Sequence, residues 1–109
     1  MRVYGTVVVD WKAKQTEDGL VDLAAFENGG LAIACSDEHF GKMNNLVMPG
    51  RGINMGDGWE TRRRRGVGFD WVIIKLGTTG TVKKVIVDTA WFKGNFPHAV
   101  VVEAAFIEE

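Results

Sequence analysis

Apolar and polar residues alternate along much of the chain. In DWVIIKLG (70–77), Trp71, Ile73 and Lys75 fall on one side and Val72, Ile74 and Leu76 on the other, the spacing of an extended strand. RVYGTVVVD (2–10) is rich in β-branched and aromatic residues and predicts a strand, the apolar run LAIACS (31–36) predicts a buried one, and TVKKVIVDT (81–89) and HAVVVEAAFI (98–107) predict two more. Within 81–89, Val82, Ile86 and Asp88 share one face, with Val85 and Val87 nearer the other. GTTG (77–80) reads as the turn between two of these strands. One stretch departs from the pattern. GLVDLAAFENGG (19–30) sets Leu20, Leu23 and Ala24 on one helical face with Gly29 as a stop, and predicts a short helix near the N-terminus. FGKMNNLVMPGRGINMGDG (40–58) contains Pro49 and five glycines and predicts a long loop, the kind of connection that carries function.

Short strands punctuated by glycine turns predict an all-β fold, an antiparallel β-sandwich. The strand count is five or six, whereas a jelly roll uses about eight. The sandwich is therefore expected to be incomplete, with an open edge that invites pairing with another chain. A homo-oligomer, or a chain supplying the missing strands, follows as the expected partner.

Composition narrows the picture. The length of 109 residues fits one domain, and 46% hydrophobic with 25% charged residues is ordinary for a globular chain. No stretch approaches the ~20 apolar residues that span a bilayer. Cys35 is alone, which leaves no disulfide framework and predicts a small buried residue in a reduced, cytoplasmic compartment. Trp59, Trp71, Met43, Met48 and Met55 are expected to pack in the core, and Gly94 to turn the chain at positive φ.

The feature that composition does not explain is a run of four arginines, 62–65, on a chain of net charge -1. Asp57 and Glu60 precede it and Asp70 follows it. Such a balance argues against nucleic acid, whose binders carry broad basic faces. If 59–65 is extended, Glu60, Arg62 and Arg64 point one way and Thr61, Arg63 and Arg65 the other. Asp70, just before Trp71, is placed to cap the strand or to pair with an arginine. His39 follows Asp37 and Glu38, a grouping able in principle to hold a divalent ion such as manganese; no other cofactor signal is present.

Taken together, ENGG (27–30), SDEHFGKMNNLVMPGRGINMGDGWETRRRR (36–65), DWVIIKLG and VDTAWFKGNFP (87–97) resemble allantoicase, and in particular the second of its two homologous repeats. On this resemblance residues 1–18 are a linker-like strand from the end of a preceding repeat, and 19–109 a partial repeat lacking its last strands. The resemblance implies a galactose-binding-like jelly roll and hydrolysis of allantoate to ureidoglycolate and urea. It gives the arginines a task, because a guanidinium fork matches a carboxylate bidentately and also grips a urea carbonyl. Arg62, Arg63 and Arg64, with Asn54 and Lys93, are the expected substrate-binding residues. Asp57, Glu60 and Asp88 are the candidates for the acid–base work of cleaving a C–N bond. Two positions depart from the family pattern: Phe69 and Trp91 stand where allantoicases commonly carry histidine. A galactose-binding-like module without turnover, or an inactive partial repeat, is the alternative expectation.

Overall fold

A computed structural model of the chain describes residues 1–5, 10–50 and 52–107. Its only regular sheet among those residues is antiparallel and two-stranded: β1, Leu31–Cys35, pairs with β2, Val72–Lys75. The register sets Leu31 opposite Lys75, Ala32 opposite Ile74, Ala34 opposite Ile73 and Cys35 opposite Val72, so that Ile33 is the extra residue of a bulge. Both strands fall where the sequence predicts them. β1 alternates between buried and exposed residues, with Ala32 at 2% exposure between exposed Leu31 and Ile33. It is therefore a half-covered strand and not the fully buried one expected.

The predicted helix over 19–30 is replaced by a single 3-10 turn, Phe26–Asn28. Long-range and local backbone bonds compete for the segment: the amide of Gly77 donates to the Leu23 carbonyl at 2.9 Å and that of Gly30 to Ala25 at 2.9 Å. Gly29 ends the turn at φ 93°, a left-handed conformation natural to glycine. The loop then lies so close over the end of β2 that a Cβ on Gly77 would collide with the Asn28 carbonyl. The segment is a clasp across the sheet.

The long loop 40–58 carries two more 3-10 turns, Met43–Val47 and Met55–Asp57. Val47 is 2% exposed and, with Ala25 and Ala32, forms the buried apolar centre. Asn44 lies against β1, its side-chain oxygen accepting from the Ala32 amide at 2.9 Å and its amide group donating to the Ala32 carbonyl at 3.3 Å. One side chain thus takes the place of a neighbouring strand. Trp59 is half-buried and donates its indole N–H to the Asp37 carbonyl at 2.8 Å. Trp71, Met48 and Met55 are more exposed than expected, and the first of these lies outside the small core.

The predicted strands at 81–89 and 98–107 run without a ladder through their described residues. Residues 6–9 of the predicted strand 2–10 lie outside the described residues, and 2–5 form no strand. Gly94 turns at φ 76°, as expected. Trp91 shares that left-handed region with φ 73° and is half exposed. For a bulky side chain this conformation costs about 1–2 kcal/mol, and Asn adopts it more readily. Trp91→Asn is expected to stabilise the chain by about 1 kcal/mol, raising the thermal midpoint by about 4–8 °C in calorimetry. An unchanged or lower midpoint would show that the indole's contacts outweigh the backbone cost.

Candidate functional site

Antiparallel pairing of β1 with β2 brings the residue after one strand beside the residues before the other. The Ser36 amide donates to the Trp71 carbonyl at 2.9 Å and the Trp71 amide donates to Ser36 Oγ at 3.0 Å. Ser36 Oγ in turn donates to Asp70 Oδ1 at 2.9 Å. Two further donors converge on the same carboxylate: Thr61 Oγ1 reaches Oδ2 at 3.2 Å, and Arg64 Nη2 forms an ion pair with Oδ1 at 3.2 Å. Arg64 folds back over Gly68, at φ 138°, where a Cβ would come within 3.1 Å of the guanidinium. A larger residue there would displace the arginine.

Partial desolvation pushes the Asp70 carboxyl upward. The hydrogen bonds from Ser36 and Arg64, the positive charge of Arg64 and the Thr61 hydroxyl outweigh it and hold the group below the ordinary aspartate value of 3.8. A depressed carboxyl stabilises the fold above its unfolded-state value, and that contribution is lost as pH falls through the folded-state value. Urea midpoints measured from pH 7 downward should therefore fall below about pH 4 more steeply for the parent than for Asp70→Asn. Parallel curves would remove Asp70 from the account of acid stability.

Asp37 organises the other side of the cluster. Its Oδ2 accepts the Arg62 amide at 2.8 Å and its Oδ1 the His39 amide at 2.6 Å. Ser36, Asp37, Arg62, Arg63, Arg64 and Asp70 line an open cavity of about 430 Å³. Three arginines thus border a space the size of a small ligand, with two carboxylates engaged at its rim. The strict alternation expected of 59–65 does not hold. Thr61 and Arg64 reach the same carboxylate, and Arg62, Arg63 and Arg64 all line one cavity.

The remaining sequence candidates lie outside this lining. Asn54 and Asp57 cap the turn 55–57: Asp57 Oδ2 accepts the Ile53 amide at 2.8 Å and the Asn54 amide at 3.3 Å, and Asn54 Oδ1 accepts from Gly56 at 2.8 Å. Glu60 bridges its backbone to Gly41 in an isolated antiparallel pair. Asp88 accepts the Ala90 amide at 2.8 Å, and Lys93 is exposed beside the turn at Gly94. The Asp37–Glu38–His39 grouping does not make a metal centre. Asp37 is turned to backbone amides, Glu38 accepts the Met43 amide at 2.9 Å, and the His39 ring meets Phe40 edge-on at 4.5 Å. Among the described residues no three His, Cys, Asp or Glu side chains gather to hold an ion. Sequence reasoning missed Ser36 as a member of the site. Its signal was the register that sets the end of one strand against the start of the other.

The constellation falls within a family match. Residues 21–109 fit the model of the allantoicase repeat. The chain belongs to the allantoicase family. It is 60% identical to a probable allantoicase of Pseudomonas fluorescens strain Pf-5 and 58% identical to one of Photobacterium profundum, each over 99% of this chain and 32% of the relative. The chain thus spans about a third of the length of these allantoicases. Among solved structures, the crystal structure of allantoicase from Saccharomyces cerevisiae matches 60% of this chain and 21% of its own at 47% identity, with a TM-score of 0.53. No helix among the described residues is long and apolar enough to cross a membrane.

Proposed function

We propose that the cavity bordered by Arg62, Arg63 and Arg64 binds allantoate, and that the chain serves the hydrolysis of allantoate to ureidoglycolate and urea. The observation that carries this reading is the convergence of three arginines with Ser36, Asp37 and Asp70 on one small open cavity, inside the segment that matches the allantoicase repeat. Allantoate carries one carboxylate and two ureido arms on one carbon. Arg62 and Arg63 would take the carboxylate in charge-assisted bonds, and Arg64 a ureido carbonyl. Asp70 stays ionised, and its bonds to Ser36, Thr61 and Arg64 fix that guanidinium before the ligand arrives, which lowers the ordering cost of binding. Asp37 does the same for the backbone at Arg62. Cleavage of the C–N bond also needs a base for water and an acid for the departing nitrogen. Asp57, Glu60 and Asp88, the carboxylates of the motif, lie outside the lining of this cavity and are engaged in turns or a backbone bridge, so this reading assigns the chain the binding of allantoate and the acid–base pair to the complete assembly. In the complete assembly the fold is proposed to be the jelly-roll sandwich, acting in allantoin breakdown in the cytoplasm.

A second reading, a module that binds allantoate without turnover, is favoured by one observation. Phe69 and Trp91 are exposed rings that can neither transfer a proton nor bind a metal. Urea release from allantoate by the folded chain in its complete assembly separates the readings. Urea formed in proportion to chain supports the hydrolase. Saturable binding with no urea supports the module, and neither binding nor urea refutes both.

A further inference from the structure

The three arginines that line the cavity differ in how their charge is compensated. Arg64 is ion-paired with Asp70 at 3.2 Å, their side chains 41% and 24% exposed, so its charge is offset at close range and water screens the pair only in part. Among the described residues neither Arg62 nor Arg63 has an ion-pair partner. Asp37 borders the same cavity with both oxygens committed to the backbone amides of Arg62 and His39, and its charge remains. Three arginines against two aspartates leave the lining with one net positive charge. Asp70 is held in place: Ser36 Oγ donates to Oδ1 at 2.9 Å and Thr61 Oγ1 to Oδ2 at 3.2 Å, while the Trp71 amide anchors Ser36 Oγ at 3.0 Å. A guanidinium has five N–H groups, and the contact with Asp70 engages only Arg64 Nη2. The donors left over belong to a pair without net charge. They suit a neutral carbonyl oxygen, whereas a second carboxylate there would meet the Asp70 charge and give up water without gaining a cation of its own.

We propose that Asp70 determines specificity: by offsetting the charge of Arg64 it makes that end of the cavity a seat for a neutral ureido oxygen and turns away a second carboxylate. The cavity then selects acids with one carboxylate and a ureido arm over dicarboxylates of the same size. This rests on the reading of the cavity as an allantoate site, and adds which residue keeps other small acids out. Arg62 and Arg63 supply the cationic end, where a single carboxylate is matched. Without the Asp70 charge, the Arg64 guanidinium becomes a second anion site. An Asp70 that merely fixed the guanidinium in place would act differently, because its loss would weaken every ligand alike.

The test compares two small acids in competition with allantoate: ureidoacetate, with one carboxylate and one ureido arm, and succinate, in which a second carboxylate stands at the same spacing in place of the carbamoyl group. The parent chain is expected to favour ureidoacetate by roughly tenfold. Asp70→Asn, which keeps an acceptor for Ser36 and Arg64 but removes the charge, should move the ratio by roughly tenfold or more towards succinate. Ser36→Ala keeps both charges and loosens only the hold on Asp70, so it should weaken both acids alike and leave the ratio unchanged. An unchanged ratio in Asp70→Asn, with allantoate still bound by the parent, would overturn the specificity role and leave the arginine clamp standing. An equal shift in Ser36→Ala would overturn it too, since placement and not charge would then set the preference. If Asp70→Asn does not fold, the parent decides: succinate bound as tightly as ureidoacetate would overturn the proposal. A folded parent that binds none of the three acids would overturn both this inference and the allantoate reading beneath it.

Discussion

Arg64→Ala and Arg63→Ala are each expected to weaken allantoate binding by roughly 10- to 150-fold while leaving the chain folded. The figure follows from losing one charge-assisted hydrogen-bonding group, about 1.5–3 kcal/mol, at a cavity that orders its donors in advance. The two arginines should differ in what else they cost. The Arg64 side chain is 41% exposed where it pairs with Asp70, so removing it should lower stability by less than about 1 kcal/mol. Asp70 keeps Ser36 and Thr61 as donors. Arg63 is exposed and its loss should not move the thermal midpoint measurably. Arg64→Lys should recover little of the affinity, because an ammonium cannot reproduce the planar fork that bonds Asp70 and a ureido oxygen together. Isothermal titration with allantoate, paired with thermal melts, checks all three variants. Parent-like affinity in both alanine variants would dispose of the arginine clamp.

Asn44→Ala should be the most destabilising single change at a polar residue, at about 2–4 kcal/mol. The Asn44 amide satisfies both the N–H and the C=O of Ala32, a residue only 2% exposed. Removing it strands a donor and an acceptor where water has poor access, at about 1–3 kcal/mol for each group. The thermal midpoint should drop by about 10–20 °C. Asn44→Asp provides a control, since it keeps the acceptor for the Ala32 amide but sets a negative charge against the carbonyl; it should be no more stable than the alanine variant. A drop of less than about 4 °C for Asn44→Ala would mean that water reaches the β1 edge and that the side chain is not the stand-in for a strand.

The apolar run at 31–36 and the period of two at 70–77 were sufficient to locate those strands, because they find each other in a ladder. The same pattern at 81–89 and 98–107 predicts strands that the isolated chain does not form. A strand needs a neighbour's backbone, and no local pattern states where that neighbour comes from. The helix predicted over 19–30 failed for the opposite reason. Its apolar spacing was adequate, but the bond from the Gly77 amide to Leu23 and the close approach of Gly77 to Asn28 hold the segment as a clasp. At the site, the arginines were legible as a charge run, and the pairing of Asp70 with one of them followed from position. Ser36 and the orienting role of Asp37 were not, since they lie 25 or more residues from the groups they hold. Asn54, Asp57 and Asp88 belong to turn chemistry as their residue types allow.

The central claim is that the arginine cavity between the two strand ends takes allantoate. The most direct measurement is a titration of allantoate into isotope-labelled chain, followed by backbone amide NMR. Saturable shifts confined to 36–39 and 61–71, absent in Arg63→Ala with Arg64→Ala, are the predicted result. Shifts centred instead on the turns at 54–58 and 88–94, or no saturable shift in a folded sample, would contradict it.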